Sequence, residues 1–189
     1  MSAFEFFFSF YGLLLGFSVT VLATGVARAF KHRKTVPAGW LTPLLALFVA
    51  LDITTFWDAA WNNFRGLQYS YGLLVAGLVV ATVYFIAASL LFPEPEDKAA
   101  SLDEHFWANK RAVLVLLIAA KLLNAAVLAL VYLPRPDAMP ALVNLGIAAG
   151  LYALLCGAAA MTRRRAVFAG ALIVQIAFYL SMAAMPNLA

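Results

Sequence analysis

Residues 41–63 read LTPLLALFVALDITTFWDAAWNN. The stretch is apolar and long enough to cross a bilayer, which takes about 20 residues of helix. It nevertheless carries Asp52 near its middle and Asp58 nearer one end. A carboxylate at that depth is costly and calls for a partner, a cavity or a proton. A second apolar stretch, residues 111–133, carries one lysine, Lys121, at nearly the same depth. The rest of the chain reads as a helical frame around these groups.

Composition says what the frame is immersed in. Of 189 residues, 65% are hydrophobic and 12% charged, and the mean hydropathy is +0.92. A soluble domain has about 45–50% apolar and about 25% charged residues. A water-facing fold cannot absorb this much apolar surface, so lipid is the solvent. Six runs are long enough to span: 3–29, 41–62, 70–92, 111–133, 139–161 and 166–185. They are continuously apolar and do not alternate, which favours helices over a barrel. The expected fold class is all-α, a polytopic transmembrane helical bundle of six spans forming one integral membrane domain over residues 1–189.

The linkers, 30–40, 63–69, 93–110, 134–138 and 162–165, are punctuated by Pro37, Pro93, Pro95, Pro134 and Pro136, with Pro140 just beyond. Such short connections leave no room for a second domain. Ser101 and Glu104 have capping-box spacing, so the fourth helix is expected to start near residue 102 and to hold Phe106 and Trp107 at headgroup level.

Basic residues set the orientation. Arg28, Lys31, Arg33, Lys34, Lys98, Lys110, Arg111, Arg163, Arg164 and Arg165 fall on one side, and Arg65 and Arg135 on the other. By the positive-inside rule, loops 30–40, 93–110 and 162–165 are cytoplasmic, and both termini lie outside. The N-terminus, MSAFEFFF, has no positive n-region and reads as the first span, not a cleaved signal peptide. Alanine- and leucine-rich usage with short loops suits a bacterial inner membrane. The net charge of +4 comes from clusters at helix ends and does not indicate nucleic acid as a partner.

Several residue types exclude functions or point to packing. The single cysteine, Cys156, permits no internal disulfide and reads as a small buried hydrophobe. His32 and His105 are both in cytoplasmic segments and lack metal-ligand spacing, so no metal or cofactor is expected. No nucleotide-binding loop, serine elbow or zinc-protease motif occurs, which argues against a membrane protease or an NTPase. Gly12, Gly16, Thr20 and Thr24 make one smooth face on the first helix, and Gly146, Gly150 and Gly157 repeat the idea on the fifth. Packing inside the bundle is the preferred reading; a homo-oligomer through the Gly12/Gly16 or Gly146/Gly150 face is the sharper one.

On a helical wheel Asp52, Thr55, Asp58 and Asn62 share a polar stripe of the second helix. Lys121 and Asn124 share a face of the fourth, and Asn144 and Gln175 add amides from the fifth and sixth. These groups are expected to converge, since a lipid-facing amide is left unpaired. One reading is an Asp52–Lys121 ion pair that locks two helices, although desolvation offsets much of its attraction. The other is a relay or ligand site, with Asp52 titrating and Asp58 at an outer vestibule. The matched depth of Asp52 and Lys121 places a small ion- or proton-coupled transporter or channel first. An accessory or scaffold subunit with a membrane-protein partner is the alternative, and an intramembrane enzyme acting on lipid the third.

Overall fold

Each apolar run folds as a helix. The computed structural model describes residues 3–31, 39–64, 70–93, 102–136 and 138–184. The elements are α1 (Ala3–Lys31), α2 (Leu41–Phe64), α3 (Tyr71–Ser89), α4 (Leu102–Tyr132), α5 (Ala138–Met161) and α6 (Arg165–Ala184). All six are long and apolar enough to cross a membrane, and no strand occurs among the described residues. His32, Arg33, Lys34, Arg65, Lys98 and the Ser101 half of the capping box lie outside the described residues.

Helix ends follow local chemistry. Ser70 is the cap of α3 and not its first residue: its hydroxyl accepts the Leu73 N–H at 3.1 Å, satisfying one of the free donors of a helix start. The same helix ends at Ser89 instead of running to Phe92, because Leu90 and Leu91 tighten into a turn before Pro93, and the residue before a proline avoids the α region. Pro43 and Pro140 sit in the first turns of α2 and α5, where a missing N–H is tolerated.

Around the bundle the neighbouring helices run α1, α3, α4, α5, α6, α2 and back to α1, while α2 also reaches α4 and α3 across the interior. The most enclosed side chains include Phe48, Tyr84, Leu114, Leu117, Phe168 and Leu172. The outward faces carry Leu13, Leu130, Met139, Leu154 and Phe178, all exposed, as lipid requires. Gly12 admits the indole of Trp57: a Cβ there would stand 2.8 Å from Trp57 Cζ2. By contrast, a Cβ at Gly146, Gly150 or Gly157 meets nothing, so the α5 glycines do not mediate packing within the chain.

The end of the bundle that gathers Arg28, Lys31, Arg111 and Arg163–Arg165, the basic end, is tied by Lys110. Counted in sequence with the cytoplasmic loop 93–110, Lys110 is only 5% exposed. Its Nζ donates to the carbonyls of Ala159 at 2.9 Å, Ala160 at 3.2 Å and Thr162 at 2.5 Å. Those carbonyls end α5, where acceptors have no intrahelical donor and the helix dipole is negative. The ammonium also lies 4.9 Å from the Trp107 ring centre and 5.5 Å from that of Phe168. Phe106, expected at headgroup level, is buried edge-on against Phe168 at 5.0 Å. His105 Nε2 is 3.1 Å from the Leu90 carbonyl at the end of α3, and Asp103 pairs with Arg165 at 3.5 Å.

Replacing Lys110 by Met leaves the α5 carbonyls without their charged donor. The expected loss is about 2–3 kcal/mol of unfolding free energy, read by denaturant titration in micelles, with faster proteolysis at the Thr162–Arg165 turn.

Candidate functional site

The site forms where side chains of four helices reach one level. Asp52 is eleven residues from the Leu41 end of α2, and Tyr179 is fourteen residues from the Arg165 end of α6. Tyr152 precedes the end of α5 by nine residues and Tyr84 the end of α3 by five. At about 1.5 Å per residue these Cα positions span roughly 8–21 Å from the basic end. The Cα–Cβ bond leans toward the N-terminus of its own helix. Asp52 and Tyr179, on helices leaving the basic end, therefore lean back toward it. Tyr84 and Tyr152, on helices running the other way, lean away from it. The four side chains meet in between.

There the Tyr84 hydroxyl donates to Asp52 Oδ2 at 2.9 Å, Tyr152 to Oδ2 at 3.0 Å, and Tyr179 to Oδ1 at 2.6 Å. Asp52 is 1% exposed. An ionised carboxylate is acceptor-only, with about four lone-pair sites, so three phenols fill most of its capacity. Aromatic packing holds the phenols in place. Phe48 stacks at 6.2 Å on both Tyr152 and Tyr179, and Phe56 lies 5.2 Å from Tyr84 and 5.4 Å from Tyr11.

Lys121 does not pair with Asp52; Asp103–Arg165 is the ion pair seen among the described residues. Instead its ammonium lies 5.2 Å from the centre of the Tyr152 ring. Tyr152 thus stands between the two charges, its hydroxyl toward the anion and its ring toward the cation. Three of the carboxylate's roughly four acceptor sites are taken by phenols, which leaves little of it for the ammonium. One turn along α5, Cys156 Sγ accepts from Gln175 Nε2 at 3.2 Å.

The other predicted residues divide. Thr55 donates to the Leu51 carbonyl at 2.8 Å, so its hydroxyl is satisfied within α2. Asp58 is exposed and accepts from Asn62 at 3.2 Å; neither belongs to the Asp52 cluster. Asn63 accepts from Tyr132 and donates to the Ala59 carbonyl at 2.6 Å, joining α2 to α4 near their ends. Asn124 lines a small crevice, with Tyr11, Phe64, Leu73 and Val80 among its walls. Asn144 does not converge with the rest. It is exposed, because α5 buries the arc of Ala149, Tyr152, Cys156 and Ala159. Among the described residues no group of three histidine, cysteine or acidic side chains is placed to hold a metal.

Tyr84 and Tyr152 were absent from the sequence-derived site. A signal existed: membrane tyrosines concentrate at the two interfaces, and a phenol well inside a span needs an acceptor. Tyr84, Tyr152 and Tyr179 all lie inside their helices, whereas Tyr71 and Tyr132 lie at helix ends. No family model, curated protein or solved structure matches the chain.

Each single Tyr→Phe change at 84, 152 or 179 is expected to cost about 1.5–3 kcal/mol, the range for a hydrogen bond to a charged group. Double-mutant cycles in micelle unfolding check the arrangement: Asp52→Asn should couple more strongly to Tyr179→Phe than to Lys121→Met.

Proposed function

We propose that this six-helix chain is a non-catalytic accessory or scaffold subunit of a larger membrane assembly, with Asp52 acting as a helix lock. One observation carries the reading: both oxygens of a fully enclosed carboxylate are taken by hydroxyls from three other helices. A relay acid needs a proton path, and a ligand site needs free valences. Asp52 offers its valences to its own fold. The open glycine face of α5, at Gly146 and Gly150, supports a surface for another transmembrane helix, whether a different protein or a second copy. A bacterial inner membrane with the basic end cytoplasmic remains the proposed setting, supported by the ten-to-two distribution of basic residues.

A second reading, a transporter or channel with a mid-membrane site, is favoured by Lys121 alone. Lys121 is partly exposed, and its ammonium rests on a ring rather than an anion. In this reading Lys121 and Asn124 are the working residues and Asp52 supports them.

Native mass spectrometry of the protein gently extracted from its own membrane separates the two. The accessory reading expects other polypeptides at fixed stoichiometry. It is overturned by a chain that is monomeric or homo-oligomeric, together with ion or solute flux in proteoliposomes that Lys121→Met abolishes.

A further inference from the structure

The described cations of the basic end fall into two groups. Arg28 and Lys31 lie in the last turn of α1. Lys110 and Arg111 on α4 and Arg163, Arg164 and Arg165 around the α5–α6 turn form the other group. In the ring of helices α5 stands directly across from α1, so the two groups occupy opposite sides of the bundle.

Two contacts draw the second group together. Lys110 Nζ donates to the Thr162 carbonyl at 2.5 Å, so the residues that follow these two, Arg111 and Arg163, flank one hydrogen bond. Arg165 pairs with Asp103 at 3.5 Å, which ties the start of α6 to the start of α4. Arg111, Arg163 and Arg164 are exposed. Among the described residues none of the three makes a hydrogen bond, an ion pair or a ring contact through its side chain. The acids here are Asp103 and Glu104, so the edge stays net positive.

Position says which anion the edge suits. α5 is long and apolar enough to cross a membrane and ends at Met161, so the arginines that follow stand at headgroup level. Behind them Leu154 and Met161 share one face of α5, 66% and 69% exposed, and Gly157 between them has no side chain to cover it. A guanidinium fork matches two oxygens of a phosphate, and exposed aliphatic surface beside it suits an acyl chain. A free phosphate uses the first feature and not the second. A zwitterionic lipid brings its own ammonium and gains less from unpaired cations.

We propose that the α4–α5–α6 edge of the basic end binds one anionic phospholipid, its phosphate held by Arg111, Arg163 and Arg164 and its chains lying along the exposed face of α5. This concerns lipid binding and does not depend on the accessory reading.

The test uses the full chain, delipidated in uncharged detergent, with dioleoylphosphatidylglycerol and dioleoylphosphatidylcholine as probes and native mass spectrometry as readout. Wild-type protein is expected to take up one phosphatidylglycerol saturably, at least about tenfold more tightly than phosphatidylcholine, with inorganic phosphate failing to displace it. The double change Arg163→Gln, Arg164→Gln should weaken phosphatidylglycerol at least about tenfold, and Arg111→Gln should weaken it severalfold. The double change Arg28→Gln, Lys31→Gln removes the same charge from the opposite side of the same end and should leave binding as in wild type. The proposal is overturned if phosphatidylcholine or inorganic phosphate competes as well as phosphatidylglycerol. It is also overturned if the α1 pair weakens binding as much as the arginine pair, which is diffuse attraction and not a site. Where the Arg163, Arg164 variant does not fold, Arg111→Gln decides: wild-type phosphatidylglycerol binding in a folded Arg111→Gln protein overturns the proposal.

Discussion

An anion inside a membrane protein must be solvated by the protein, and everything about this bundle is arranged to do so for Asp52. Removing a carboxylate from water costs several kcal/mol even after relaxation. Three hydrogen bonds to a charged acceptor, each worth about 1.5–3 kcal/mol, offset that cost. Their donors come from α3, α5 and α6, so the carboxylate oxygens set the mutual rotation of four helices. Lipid provides no hydrophobic force to do the same, since tails and leucines are alike in polarity. The cation arrives by a less direct route, over the face of a ring whose hydroxyl is already committed. Such a contact strengthens when desolvated, to about 2 kcal/mol or more. Among the described residues, the contact that the ammonium makes is with the Tyr152 ring.

Much of this was legible in the residue order. Six spans and the all-α class follow from run length, because lipid admits so few spanning structures, and the early start of α4 follows from its capping-box spacing. The position of Asp52 and Lys121 along their helices was also readable, since rise per residue is fixed. Which groups touch was not. A wheel gives the direction of Asp52 relative to Thr55, but not which helix stands opposite. That depends on the ring order, in which α2 sits between α1 and α6 and not beside α3. Tyr84 was hidden in a helix with no charge at all. Asn144 misled in the other direction: an amide suggests the interior, yet α5 turns that position outward. Thr20, Thr54, Thr55 and Thr82 bond to carbonyls four residues back, so these polar letters are absorbed within their own helices.

Lys110 shows the limit of charge counting. It contributes to the basic end as the positive-inside rule counts it, yet its ammonium is inside, closing the end of α5. A lysine has a long apolar stem and three donors. Near a helix C-terminus it finds acceptors that no neighbouring amide can reach, and two aromatic rings cover what remains.

The order in which the partners of Asp52 are made has a cost in time. Its donors follow it by 32, 100 and 127 residues. At about 5–20 residues per second of synthesis, the last phenol is made roughly 6–25 s after the acid. Through that interval the second helix is a poor membrane resident, because its charge has no complete shell. The shell around Asp52 is therefore complete only once the sixth helix has brought Tyr179, and until then water is the acid's remaining source of donors.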